Sequence, residues 1–194
     1  MGKIYCVMGK SSSGKDTVYK KLKEQYKEFR LIVPYTTRPI REGEKDGVEY
    51  YFVDPEQFRA MKEDGKVIES RSYNTKCGIW TYFTADDGQI DLNASDYLLI
   101  GTLVSYRALR KYFGESYIVP IYLEVEDGLR LVRALERERR QDEPKYAEMC
   151  RRFLADEEDF SEENLIKSGI TERFCNEDLA ACLDKIRTYI GKNR

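Results

Sequence analysis

The sequence predicts an α/β fold: a three-layer α/β/α core around a parallel sheet, with an inserted strand-rich subdomain and a helical lid. Three observations predict it. Apolar, strand-like runs alternate with helix-periodic segments along most of the 194 residues, the pattern of a layered α/β core. Gly9 to Lys15 (GKSSSGK) falls between the first strand-like run and the first helical one. Two interruptions of the alternation, at about 33–95 and about 126–160, read as additions to a core formed by 1–32, 96–125 and 161–194 of one domain.

Each element has a local reason. Lys3 to Met8 (KIYCVM) is an apolar run of buried-strand type. Gly9 to Gly14 is a turn, and from Lys15 the residues Val18, Leu22 and Tyr26 recur at helical spacing. Phe29 to Tyr35 reads as extended, Glu42 to Gly47 as a polar turn and Glu49 to Val53 as strand. Pro55 opens a helix to about Asp64. Lys66 to Tyr73 and Ile79 to Thr84 read as strands. Tyr97 to Gly101 and Tyr117 to Val125 suit a buried parallel sheet, with a helix at Leu103 to Tyr112 between them. Glu126 to Arg140 is expected as a helix with Leu131, Val132 and Leu135 on one face and Arg130, Arg133, Arg137 and Arg140 on the other. A helix from about Tyr146 to Phe160, a strand at Ile170 to Cys175 and a helix from Asp178 to Ile190 close the chain.

Composition narrows the function classes. Lys and Arg number 33 against 35 Asp and Glu, a net charge of -2. A nucleic-acid binder holding the backbone would show a basic excess, so none is expected here. Five cysteines without CxxC spacing (Cys6, Cys77, Cys150, Cys175, Cys182) speak against a disulfide framework or a zinc site and for a reducing cytoplasm. No apolar run reaches membrane-spanning length, and a strand so soon after Met1 leaves no room for a signal peptide. Histidine is absent, which removes it as base, nucleophile and ligand. Phosphoryl transfer onto a phosphate monoester survives that absence, because the acceptor's second pKa of about 6 leaves it largely ionised near neutrality.

Gly9, Lys10, Ser11, Ser12, Ser13, Gly14 and Lys15 fit the spacing GxxxxGK. Such glycines let consecutive N–H groups face phosphate oxygens, and the lysine adds a point charge. Asp16 stands where a hydroxyl residue usually follows, with Thr17 one place later. Asp16 could meet Mg²⁺ through water or favour the helix N-terminus, and Thr17 could supply the hydroxyl. A Gly/Ser turn that happens to carry a lysine is the bland alternative.

Arg38 and Arg41 present two guanidinium forks matched to phosphate oxygens, Tyr50 can add a hydroxyl, and the carboxylate of Glu69 suits the N1–H and N2–H₂ donors of guanine. With Thr36-Thr37-Arg38, Arg41, Gly43-Glu44, Gly47, Tyr50 and Phe52 in order and spacing, the chain resembles guanylate kinase. The likeness continues through Arg133 to Arg137, Arg151-Arg152, Phe174 to Asn176 and Asp178-Leu179.

That resemblance implies a P-loop kinase whose inserted subdomain binds the acceptor, and transfer of the ATP γ-phosphoryl group to GMP with Mg²⁺. It implies donor contacts along Gly9 to Thr17 and at Asn176, and metal contacts at Asp16 and Thr17. Acceptor contacts would come from Arg38, Arg41, Tyr50, Glu69, Tyr82 and Thr84, and catalytic charge from Lys15, Arg38, Arg137 and Arg152. Small nucleotides would be its partners, with the protein a monomer or homodimer in the cytoplasm. Two departures stand out: Ile100 and Thr102 replace expected acids, and Pro34-Tyr35 replace small hydroxyl residues.

Bland readings accompany each residue. The arginine pair could be a solvated loop, the lid arginines a solvated helix face, and Glu69 an ordinary strand-edge carboxylate. Asn176 suits an N-cap of the last helix as well as an adenine contact. Trp80, Tyr82 and Phe83 could be core aromatics. Two further functions remain open: the same fold acting on another nucleotide or sugar phosphate, and a phosphopeptide-binding module.

Overall fold

The computed structural model describes residues 1–75 and 78–194. Lys76 and Cys77 lie outside the described residues.

In chain order the elements are β1 (Ile4–Gly9), α1 (Lys15–Gln25), β2 (Arg30–Leu31), β3 (Tyr35–Thr36), β4 (Tyr51–Phe52), α2 (Pro55–Glu63), β5 (Val67–Thr75), β6 (Gly78–Ala85) and β7 (Tyr97–Ile100). There follow α3 (Leu103–Phe113), β8 (Ile118–Glu124), α4 (Asp127–Arg139), α5 (Tyr146–Asp159), α6 (Glu162–Lys167), β9 (Arg173–Cys175) and α7 (Leu179–Asn193).

The main sheet has strand order β2-β7-β1-β8-β9, and every pairing in it is parallel. Because side chains alternate across a strand, β1 feeds two cores. Ile4, Cys6 and Met8 pack with Tyr97, Leu99 and the α3 residues Leu103, Tyr106 and Leu109. Tyr5 and Val7 pack with Val18 and Leu22 of α1 and with Cys182, Leu183, Ile186 and Ile190 of α7. Helices therefore cover both faces, which is why these strands read as unbroken apolar runs.

A second sheet, β4-β3-β6-β5, is mixed. Its small core gathers Tyr35, Phe83 and Ala85 with Phe58 and Met61 of α2. Asp54 caps α2 by accepting N–H bonds from Glu56 and Gln57, and Pro55 follows it, the start signal read in the sequence. Phe83 is thus a core aromatic.

Two expectations are corrected. The sequence offered no signal for α6, a single six-residue helix too short to show periodicity. In α4 the buried face is Arg130, Ala134 and Glu138, whereas Leu131 and Val132 are exposed. Leu131 and Val132 thus face solvent while Arg130 faces the protein, where Asp127 and Glu157 pair with it, and Arg137 and Arg140 are exposed.

Candidate active site

β1 runs directly into the glycine loop, and α1 begins at Lys15. Gly14 is the N-cap of α1 at φ 82, a left-handed value that favours glycine. A Cβ on Gly14 would also lie 2.5 Å from Asn176 Nδ2. That buried amide donates to the Ser13 carbonyl at 2.7 Å. Asn176 therefore braces the loop from behind, and Asp178, not Asn176, caps α7 by accepting from the Ala181 N–H. Lys15 is half-buried, while Asp16 and Thr17 are exposed in the first turn.

Ser12 has φ 62, the only positive φ at a non-glycine among the described residues. A left-handed residue with a Cβ costs about 1–2 kcal/mol, against about 0.4–1 kcal/mol for the extra unfolded-chain entropy of glycine. Ser12→Gly is therefore expected to raise stability by about 0.5–1 kcal/mol, measured by urea unfolding; an unchanged midpoint would mean the loop relaxes without it.

The loop is tied to α4 and α5. Ser11 N–H donates to Asp156 Oδ2 at 2.6 Å, and Lys10 Nζ donates to Glu157 Oε2 at 2.6 Å. Arg130, 1% exposed, donates from Nε to the Ser11 carbonyl at 3.1 Å and from Nη1 to Glu157 Oε1 at 2.8 Å. It also pairs with Asp127 and stacks on the Phe153 ring at 4.8 Å. Burial pulls the Glu157 carboxyl upward, yet the bonds from Lys10 and Arg130 hold it below its ordinary range. Lys10, expected on the donor nucleotide, is thus engaged by acids of α4 and α5.

In the loop between β3 and β4 the two signature arginines separate. Arg41 is exposed. Arg38 is 4% exposed and donates to both carboxylate oxygens of Glu44 at 2.7 and 2.6 Å and to the Pro39 carbonyl at 2.9 Å. Its guanidinium lies 5.1 Å from the Tyr50 ring centroid and 5.3 Å from that of Phe52. Glu44 in turn accepts the Arg41 N–H at 2.9 Å. The pair does not form a symmetric fork here: a bidentate carboxylate is the partner a buried guanidinium requires, so Arg38 is held inside the loop that presents Arg41.

Tyr82 packs edge-on against Tyr50, centroids 5.6 Å apart. A register shift between Val67 and Glu69 is a bulge, a device that re-aims side chains. It sets Glu69 opposite Thr84, whose hydroxyl donates to Glu69 Oε1 at 3.0 Å. Glu69 is buried, so it is not a solvated strand-edge carboxylate.

A cavity of about 390 Å³ joins these parts. Ser11 and Ser12 line it from the glycine loop, Arg41 and Trp80 from the region of the second sheet, and Arg130, Arg137, Lys145 and Arg152 from α4, α5 and the turn between them. A second cavity of about 450 Å³ lies beside Lys10, at the ends of β8 and β9, with Asp127, Arg130, Cys175 and Glu177 in its wall. Carboxyl ends of parallel strands are where open α/β sheets bind ligands. Lys15 and Arg38 do not line the first cavity, whereas Arg41, Arg137 and Arg152 do. Sequence reasoning missed Asp156 and Glu157, whose one signal is the acidic run Asp156 to Asp159. It also missed Trp80 as a cavity wall and Arg71.

No group of three or more His, Cys, Asp or Glu side chains is arranged to hold a metal among the described residues. That fits Mg²⁺, which is usually held by one or two protein ligands, waters and substrate phosphates. Asp16 and Thr17 are exposed at the loop's end, and the chemistry of both suits that role. No helix among the described residues is long and apolar enough to cross a membrane. Cys6 and Cys182 are buried free thiols, and Cys150 and Cys175 exposed ones.

Comparison with known proteins bears on the same residues. Residues 1–79 match the family model described as guanylate kinase. That stretch is similar to guanylate kinases. It contains the glycine loop, the Arg38–Arg41 signature and Glu69. The guanylate kinase of Legionella pneumophila (strain Lens) is 47% identical over 68 residues, 35% of this chain and 32% of that protein. The guanylate kinase of Corynebacterium diphtheriae is 39% identical over 69 residues, 36% of each chain. The chain thus spans about a third of the length of the curated relatives it matches. A crystal structure of guanylate kinase from Anaplasma phagocytophilum superimposes with TM-score 0.67 at 20% identity, covering 98% of this chain and 85% of the other. At that identity the likeness shows the fold, and it shows it from end to end. Helices α4 and α5 lie beyond the residues matched by the family model.

Proposed function

We propose that this protein transfers the γ-phosphoryl group of ATP to a nucleoside monophosphate, with GMP the favoured acceptor, giving ADP and GDP. The observation that carries the reading is the cavity shared by the glycine loop, Arg41 and the lid arginines Arg137 and Arg152. Its volume of about 390 Å³ is within the usual range for ligand sites, and guanidinium groups enter from two sides.

In this reading the loop N–H groups and Lys15 hold the donor phosphates, with Asn176 keeping the loop in shape. Arg41 and Tyr50 hold the acceptor phosphate, and Glu69 with Thr84 reads the base. The γ-phosphorus bond to the β,γ-bridging oxygen breaks as a bond to an acceptor phosphate oxygen forms. No proton must be removed first, which agrees with a site that contains no histidine. Arg137 and Arg152 neutralise charge that grows in transit, and the lid excludes water. Mg²⁺, held by Asp16 and Thr17 with the nucleotide phosphates, would neutralise phosphate charge and align donor and acceptor. The protein would work in the cytoplasm, as monomer or homodimer.

An ADP-release assay with MgATP across GMP, dGMP, AMP, CMP, UMP and a sugar phosphate tests the reading. GMP or dGMP is expected to turn over fastest; equal or absent turnover with GMP counts against it. Faster turnover of another nucleotide or of the sugar phosphate would instead support the second reading, the same chemistry on a different acceptor.

The Asp156 carboxylate occupies a loop N–H that a donor phosphate oxygen would also seek. Asp156→Ala is expected to lower KM for MgATP by about threefold to tenfold, since bonds to charged groups are worth about 1.5–3 kcal/mol and part is returned by solvent. Steady-state kinetics at saturating GMP gives the value, and a raised KM would show that the tie serves closure instead.

A further inference from the structure

We propose that Arg71 determines which base the acceptor site takes, by donating to the acceptor edge of a 6-oxopurine while Glu69 takes its N1–H. This rests on the reading of Glu69 and Thr84 as the base site. Arg71 follows Glu69 by two positions on β5, so both side chains leave the same face of the strand. Its Nε donates to Glu69 Oε2 at 3.2 Å, and its Nη1 donates to the Thr102 hydroxyl at 2.7 Å. Thr102 is itself the N-cap of α3. The guanidinium is thus strapped at two points between β5 and the start of α3, and its side chain is 22% exposed. Its second terminal nitrogen has no hydrogen-bond partner among the described residues, leaving donors for a ligand.

The chemistry selects one class of base. Guanidinium donors match adjacent acceptors such as O6 and N7 of guanine, while an amino group at C6 presents a donor to a donor. Glu69 alone separates bases by their N1–H, a donor that GMP and IMP both have and AMP lacks. Beside Arg71 it faces a ligand whose edge offers an acceptor and then a donor. This also gives Thr102 a purpose in place of the acid expected there. A carboxylate at that position would claim the cation outright through a charge-assisted bond, whereas a hydroxyl orients it and leaves its charge available.

Titration calorimetry of GMP, IMP and AMP on the full chain, with Arg71→Met and Arg71→Lys, tests this. IMP keeps O6 and N1–H but lacks the 2-amino group. Arg71→Met is expected to weaken GMP and IMP alike by about 10- to 100-fold and to leave AMP unchanged or tighter. Arg71→Lys, which keeps a charge beside Glu69 but loses the fork, is expected to fall between. An equal loss for all three nucleotides, or an unchanged GMP-to-AMP ratio, would overturn the proposal and leave Arg71 as the counter-charge of Glu69. Far-UV circular dichroism and thermal melting of both variants separate misfolding from lost recognition, and Arg71→Lys decides if Arg71→Met does not fold. Failure of the unaltered protein to bind any of the three would instead overturn the base-site reading, and this proposal with it.

Discussion

Lys15→Ala is expected to lower turnover at least about 1000-fold, the scale on which removing preorganised charge from a phosphoryl-transfer site acts. Lys15 opens α1, half-buried, and has no ion-pair partner among the described residues. Its removal therefore breaks no internal pair, and the thermal midpoint is expected to stay within the change of about 0.5 kcal/mol usual at such positions. The contrast with Lys10 sharpens the test. Lys10 is engaged by Glu157 at 2.6 Å and by Asp127 at 3.7 Å, so Lys10→Ala should disturb the lid tie before it disturbs the transfer. Turnover of Lys15→Ala within tenfold of the unaltered protein would exclude the loop from the reaction and favour the binding-module reading.

Arg38→Met is expected to cost both stability and activity. Breaking a buried pair by removing one partner costs about 3–5 kcal/mol; Glu44 keeps some contact with water at 18% side-chain exposure, so about 2–4 kcal/mol is expected here. Glu44 would no longer hold the Arg41 N–H in place, and turnover with GMP should fall about 100-fold through misplacement of Arg41. The double variant Arg38→Met/Glu44→Gln is expected to regain much of the stability without the activity. If it regained both, the two residues would be only a structural pair.

The same pair predicts a pH dependence. The bonds from Arg38 outweigh the upward pull of burial and, with the Arg41 N–H, push the Glu44 carboxyl from its ordinary 4.5 down to about 2. A carboxyl lowered on folding contributes stability that is complete above its unfolded pKa and is lost as pH falls through the folded one. The contribution should therefore fade between about pH 4.5 and about pH 2. Acid unfolding of Arg38→Met, followed by tyrosine fluorescence, should lack this share of the decline; an identical acid limb would remove Glu44 from the account.

How much was legible follows from the range of each interaction. The glycine loop could be read because its conformation is in its spacing: Gly14 adopts a left-handed φ, and Lys15 follows it. The start of α2 could be read because Pro55 stands at its first position, whereas the capping of Glu56 and Gln57 by Asp54 was seen only in the structure. The parallel strands could be read because burial on both faces leaves no polar alternation. The face of α4 could not. Leu131 and Val132 look like a core stripe, but what covers α4 is decided by Asp156 and Glu157 on another helix, which make Arg130 the residue to bury.

The separation of Arg38 from Arg41 was equally hidden, since two arginines in one short loop carry the same charge and differ only in what surrounds them. The conformation of the glycine loop and the order of the residues proposed to hold phosphate were determined by local sequence, because backbone conformation and side-chain type at neighbouring positions suffice for them. Tertiary structure alone decided that Arg71 meets Thr102, 31 residues away, and that Asp156 reaches Ser11 across 145. Such contacts depend on how separate elements pack, and a single carboxylate or guanidinium in the sequence carries no record of its partner.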